Sequence, residues 1–233
     1  MSSLPQLDRV LLADRAYDGI KDAILAGDIA AGTKLTEAGV AEQMGVSRVP
    51  VREALQRLKG DGLIEDMGQR GMQVRRLTGT DIVDIYNFRL GLEPVAARLV
   101  ALNGAPPQQL DRRIEEMTAA ADAQDSSALS TAELAFHQDL CDLSGNRLIS
   151  SSFARVAALI KLAIVLDNLH YVDVSHAAEE HHKVVDALRS GDPDLAGETM
   201  IEHILSTVDE VVTALEGDSG EDGGTSRLAW SGR

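Results

Sequence analysis

The sequence predicts a mainly α-helical protein of two domains, and three observations predict it. Apolar residues make up 44% of the 233 residues but aromatic ones only 3%, so any core must be built from Ala, Leu, Val and Ile, a composition that favours helices. Beyond about residue 80, nearly every segment repeats its apolar positions at helical spacing. Charge is also divided along the chain. The formal net charge is −15, yet residues 1–77 carry 11 Lys+Arg against 11 Asp+Glu, so the whole acidic excess belongs to residues 78–233. A neutral first part leaves room for a locally basic face, and local field governs contact with a polyanion more than total charge does.

Other bulk features exclude function classes. The N-terminus, MSSLPQLDRV, has no basic region followed by an apolar one, so no signal peptide is expected. No run is expected to reach the ~18–20 apolar residues of a membrane span. The lone Cys141 rules out an intrachain disulfide framework, suits a reducing cytoplasm, and reads as a small buried residue.

Taken in order, residues 1–7 read as a loose arm, followed by a helix from about Asp8 to Ala26 and a turn at GDIAAGTKL. Residues 36–44 and 47–60 form two short helices around Gly45. Ala41, Gly45 and Val51 have the spacing of a helix-turn-helix: a small residue for close approach, a glycine for the positive-φ turn, and a β-branched residue packing the second helix back on the first. Ser47 is placed to cap that second helix, and Pro50 is tolerated in its first turn. Leu63–Asp66 and Met72–Arg75 read as two strands around MGQRG, a wing-like hairpin. The first domain is therefore a winged helix-turn-helix over 8–77, with Leu77–Gly79 as linker. Helical spans near 80–103, 107–124, 126–144, 147–170, 174–190 and 194–215 predict an antiparallel all-helical bundle over 80–215. Its breaks fall at Pro106-Pro107, Ser126, Ser144-Gly145-Asn146 and Gly191-Asp192-Pro193, where Asp192 can cap the last helix. The Gly-rich tail, 216–233, is expected to be disordered and contains Trp230.

The helix after Gly45 is two-faced. Val51, Leu55 and Leu58 recur at i, i+4, i+7 toward a core, while Arg48 and Arg52 share another face near the helix N-terminus, where a recognition helix meets base edges and phosphates. Arginine suits both tasks because its planar fork grips guanine or phosphate with two bonds. Residues 47–59 hold Arg48, Arg52, Arg57 and Lys59 against Glu53 alone. A solvated, salt-bridged face would also explain these charges; the hairpin that follows, with Arg70-Gly71 at its tip, favours DNA. Residues 10–77, and above all SRVPVREALQRLKGDGLIE, resemble the winged helix-turn-helix of the GntR family. That resemblance implies DNA contacts from Ser47, Arg48 and Arg52 on the recognition helix and from Gln69, Arg70 and Gly71 at the wing. Some relatives have a DNA-binding Arg just after the glutamate of the preceding helix, where this chain has Ala38.

All six histidines lie beyond residue 136, at 137, 170, 176, 181, 182 and 203. Glu133 and His137 are i, i+4 on one helix, and an antiparallel hairpin of the last two helices can bring His181 to His203. One carboxylate and three imidazoles suit Zn²⁺ or another first-row divalent ion, although spacing alone equally describes surface or satisfied core histidines. ELAFHQDLCDLSGNRLI and EEHHKVVDALRSGDPDLAGETMIEHI resemble the FCD ligand-binding domain of the FadR subfamily over about 80–215. The resemblance implies a metal held by Glu133, His137, His181 and His203, zinc first, with nickel and manganese as alternatives. The family's usual Asp is replaced here by Glu133, one methylene longer. His182 is the out-of-register neighbour, since HxxVxxAL phasing selects His181. NFRLGLEPVAARLVA resembles the first sensor helix, and Arg89 and Glu93 on it are spaced for an intrahelical ion pair, worth a few tenths of a kcal/mol on an exposed face. The resemblance instead turns Arg89 into a pocket to clamp an effector carboxylate.

Together these features predict a cytoplasmic, ligand-responsive transcription regulator: a repressor and homodimer that binds a palindromic double-stranded operator and senses a small carboxylate, with no membrane partner. A metal-dependent enzyme fused to a DNA-binding module is the alternative class, although HExxH, a nucleophile elbow, a phosphate loop and a second ExxH set are all missing. A constitutive DNA-binding dimer without effector is the third reading.

Overall fold

A computed structural model describes residues 9–68, 71–170 and 175–219, and divides the chain into two compact units between Arg76 and Leu77. The arm 1–7, Gln69, Arg70 and Trp230 lie outside the described residues.

In the first unit, α1 (Arg9–Leu25) packs along α3 (Arg48–Gly60). Ala13, Ala16, Ile20 and Ile24 of α1 are buried, as are Val51, Ala54, Leu55 and Leu58 of α3, the apolar stripe expected from the sequence. Helix α2 (Glu37–Met44) starts at Thr36, whose Oγ1 accepts the Gly39 N–H at 3.1 Å, and ends at Gly45 with φ +64°, a conformation open to glycine without strain. Ser47 occupies the cap position of α3 but makes no side-chain hydrogen bond to the helix. The reason is local: a capping oxygen takes the N–H two or three residues on, and the third residue here is Pro50, which has none. Strands β1 (Lys34–Leu35), β2 (Ile64–Asp66) and β3 (Met72–Val74) form an antiparallel sheet in the order β1-β3-β2, with Ile64 opposite Val74 and Leu35 opposite Met72. Strand β1 has no counterpart in the sequence reading, because two residues are too short to show a period.

In the second unit, α4 (Gly79–Asn103), α5 (Gln108–Asp122), α6 (Ser126–Leu143), α7 (Arg147–His170), α8 (Ser175–Arg189) and α9 (Pro193–Ser219) form the bundle. Helix α4 runs chiefly against α9, α5 against α6 and α8, and α6 against α7. Val100, Leu110, Met117, Phe136, Phe153, Ile164, Val184 and Met200 are among the residues closing its core. Asp192 Oδ1 accepts the N–H groups of Asp194 and Leu195 at 2.9 and 3.2 Å, capping α9 as expected.

Three expectations need correction. Leu77–Gly79 is not a linker: Leu77 is buried in the helical core, Thr78 and Asp81 form a reciprocal capping box, and Gly79 opens α4. The assignment of 216–233 to a disordered tail fails for 216–219, which continue α9 through Ser219; 220–233 lie outside the described residues. The chain also does hold a helix whose length and average hydropathy suffice to span a membrane. Arg147–Leu166 is a 20-residue segment whose mean hydropathy reaches 1.8 over 18 residues, despite the charges of Arg155 and Lys161. Length and composition alone meet that test. In the bundle α7 packs on α6, α4 and α9, and Ile149, Phe153, Ile160, Ala163 and Ile164 on it are buried in the core, while the rest of the segment is not fully buried.

Candidate metal centre and nucleic-acid interface

Three bundle helices converge on the histidines. His137 from α6, His181 from α8 and His203 from α9 are all buried, and each offers a ligand nitrogen within 4.8 Å of the others. Ring centroids lie 5.3 Å apart for His137–His181 and for His137–His203, and 4.4 Å for His181–His203. Phe136 stands edge-on to His181 at 4.6 Å, giving the cluster an apolar wall. His182 is exposed, as the helical phasing required, and His170 and His176 are not described at side-chain level.

The donor set fits a metal. His203 Nδ1 is buried and has no hydrogen-bond partner, a condition that costs about 1–3 kcal/mol in a folded protein and calls for a ligand. Burial, reinforced by the neighbouring His181, His137 and Arg89, holds His203 well below the usual imidazole range. Burial also lowers His137, against the opposing pull of Glu93. Both therefore stay neutral at ordinary pH, the state in which imidazole binds zinc. Glu133 is buried on the same helix as His137 but stays outside the cluster of close donors. Its charge is felt instead at Arg89.

Helix α4 supplies a second set of charges. Arg89 is 2% exposed and Glu93 0%. Arg89 Nε donates to Glu93 Oε1 at 2.7 Å, and its Nη2 lies 3.0 Å from His137 Nε2. Glu93 Oε2 lies 2.7 Å from His137 Nδ1, an ion-pair distance that is off the angle of a hydrogen bond, and it has no other hydrogen bond. Burial pushes the Glu93 carboxyl up, but Arg89 and His137 outweigh it and hold it at about 2. The Arg89–Glu93 pair does form, as i, i+4 spacing allowed. Because it is buried, though, it is a different object from the weak surface pair that spacing suggests. Sequence reasoning gave Glu93 no role at the histidines. The available signal was its position inside LGLEPVAARLVA, an otherwise apolar stretch.

On the DNA side, Ser47, Arg48 and Arg52 are exposed. Arg48 makes no salt bridge among the described residues. Arg52 is held in two-pronged fashion by Glu37 of α2, at 2.7 and 2.8 Å. The other cations of this helix are committed elsewhere. Arg57 pairs with Asp14 at 2.5 Å and lies over the Tyr17 ring, and Lys59 pairs with Asp66 at 3.0 Å. The basic face is therefore narrower than the sequence count suggests, and Arg48 and Arg52 define it. At the wing, Gly71 has φ +90° and closes a turn in which its N–H donates to the Gly68 carbonyl at 3.1 Å.

Residues 12–74 match the model of the bacterial regulatory proteins of the gntR family, and residues 84–206 match the FCD domain. The chain belongs to the GntR family. A probable D-xylose utilization operon transcriptional repressor from Paenarthrobacter nicotinovorans is 29% identical over 202 residues, covering 86% of this chain and 89% of that protein. The gluconate operon transcriptional repressor of Bacillus subtilis is 28% identical over 208 residues, covering 86% and 83%. In fold, the chain is similar to E. coli McbR/YncC, with a TM-score of 0.72 at 18% identity over 92% of this chain and 99% of that one. This GntR-family protein is thus a DNA-binding transcriptional regulator and not an enzyme. Its FCD domain accords with the FadR subfamily.

Proposed function

We propose that this GntR-family regulator is a homodimeric repressor working in the cytoplasm, and that a small carboxylate metabolite controls its hold on a palindromic operator. The carrying observation is the buried cluster of His137, His181 and His203 with the Arg89 guanidinium beside it. Three neutral imidazoles bind a divalent ion, zinc first and nickel or manganese next, leaving the ion's charge largely unneutralised. With the ion at +2, Arg89 at +1 and the buried Glu93 and Glu133 at −1 each, the spot keeps about one net positive charge within an Ala-, Leu- and Val-rich bundle, and an anion is the ligand such a spot selects. Arg89 commits Nε to Glu93, and its terminal nitrogens, of which Nη2 rests on His137 without metal, are the ones available to that ligand. Glu133 completes the metal's shell by swinging inward or through a water. The relatives named for D-xylose and gluconate operons support the repressor role.

Ser47, Arg48 and Arg52 read the major groove, with Gln69, Arg70 and Gly71 at the wing. One recognition helix spans only a few base pairs, so a dimer and a two-fold operator follow. The domain assignment is 8–77 for DNA and 80–215 for sensing, with Leu77 anchored in the sensor. A ligand acts only through its different affinity for two arrangements of the dimer.

The test is a thermal-shift screen of small carboxylates on zinc-loaded protein, followed by operator binding with each hit. Arg89→Ala, once circular dichroism has shown it to be folded, should lose the response to the hit while retaining operator binding without it. An Arg89→Ala protein that responds at the same effector concentration would remove Arg89 from the pocket and leave the regulator reading intact.

A further inference from the structure

Glu93 is fully buried, is shared between Arg89 and His137, and has no part in the metal set described above. Its surroundings fix how His137 can act. A neutral imidazole donates from one nitrogen and accepts at the other, a guanidinium only donates, and a carboxylate only accepts. Arg89 Nη2 lies nearer to His137 Nε2, at 3.0 Å, than to Nδ1, at 3.4 Å, which favours Nε2 as the accepting nitrogen. The ring proton then sits on Nδ1, and Nδ1 is the nitrogen 2.7 Å from Glu93 Oε2. Two neighbours of opposite chemistry thus select the same tautomer independently. Oε2 has no hydrogen bond of its own, and a reorientation of the ring would be needed to aim Nδ1–H at it.

We propose that Glu93 is a positioning residue of the metal centre: it holds the Nδ1 proton of His137, reserves Nε2 for the metal, and keeps Arg89 beside the site. A carboxylate behind a histidine orients the ring and raises its basicity toward a metal. One consequence concerns Arg89. A metal and the guanidinium cannot both use the Nε2 lone pair, so metal binding releases Arg89 Nη2 while the Nε–Glu93 bond retains the side chain. The released N–H would then stay beside the metal, available to a carboxylate. This inference rests on the metal reading above.

The test uses full-length protein and Zn²⁺ alone. Metal-free wild type, ¹⁵N-labelled at histidine, should show His137 as the Nδ1–H tautomer by NMR. Zn²⁺ affinity is then measured by competition with a chromophoric chelator for wild type and Glu93→Gln, after circular dichroism has shown both to be folded. Glu93→Gln should bind Zn²⁺ roughly ten- to a hundredfold more weakly, with less of the Nδ1–H form. Equal Zn²⁺ affinity in a folded Glu93→Gln overturns the inference alone. So does an Nε2–H tautomer in wild type, a measurement that needs no variant and decides the matter if Glu93→Gln does not fold. Wild type that takes up no Zn²⁺ overturns the metal centre itself and this inference with it.

Discussion

Replacing His203 with leucine should stabilise the metal-free protein while destroying its response to zinc. His203 is 6% exposed, and its Nδ1 has no hydrogen-bond partner. An unpartnered buried polar nitrogen costs about 1–3 kcal/mol, and leucine removes it at similar volume. Against this stand the ring contacts with His181 and His137, worth about 0.5–1.5 kcal/mol, and repacking strain below about 1.5 kcal/mol. Leucine's added apolar burial offsets that strain, so the net expectation is a gain of up to about 1 kcal/mol, at most roughly 2–4 °C in Tm for a unit of this size. The pH dependence should change as well. The folded-state pKa of His203 is depressed, so the unfolded chain binds its proton first. The metal-free wild type must therefore lose stability as pH falls through the unfolded value of about 6.5, and His203→Leu should lose less. Thermal melts in chelator at pH 7.5 and 5.5, then with Zn²⁺ at pH 7.5, read all three effects. A metal-free His203→Leu that melts below wild type at pH 7.5 and keeps the full pH slope would show that the nitrogen is satisfied, refuting the reasoning.

His137→Ala and His181→Ala should purify without the single equivalent of metal that wild type carries by elemental analysis, whereas exposed His182→Ala should keep it; equal metal in His137→Ala rejects the site. Arg48→Ala and Arg52→Ala should each abolish specific operator binding at matched salt while leaving the melting temperature nearly unchanged, because both side chains are exposed and the Arg52–Glu37 pair is a surface one. Wild-type affinity in either variant would remove that arginine from the interface. Leu55→Ala, at a site 1% exposed between α1 and α3, should destabilise the first unit by about 2–5 kcal/mol in denaturant unfolding. A loss under 1 kcal/mol would mean that the stripe of Val51, Leu55 and Leu58 is not the unit's core.

Helical phase was the part of this protein most legible in its sequence. The i, i+4, i+7 spacing put Val51, Leu55 and Leu58 inside, and the phasing around His181 buried it and left His182 in solvent. Such periodicities belong to the backbone and are written locally. What the sequence hid depends on partners distant along the chain. Glu37 reaches Arg52 across 15 positions, and Glu93 reaches His137 across 44. In both cases a charge that looked like part of a local face is aimed at another helix. Leu77 was hidden for a related reason: beside Thr78 and Gly79 it looks like a joint, and only the bundle it packs into makes it core. Ser47 misled in the opposite way. Its residue type fits a cap, but Pro50 removes one of the N–H groups that it would have served.

The buried Arg89–Glu93 pair also constrains how lineages of this protein can change. Losing either partner alone strands a charge at a cost of about 3–5 kcal/mol, a large share of the roughly 5–15 kcal/mol that holds a domain together. The two positions can be crossed only together, so a descendant that stopped sensing would still carry the pair as a relic. The histidines are under the opposite pressure. At His203 an apolar replacement is expected to improve the metal-free fold, because Nδ1 has no hydrogen-bond partner, so drift alone would erase it. Among related sequences, retention of the arginine and glutamate alone is therefore no sign of sensing, whereas retention of the three histidines with them reports present use.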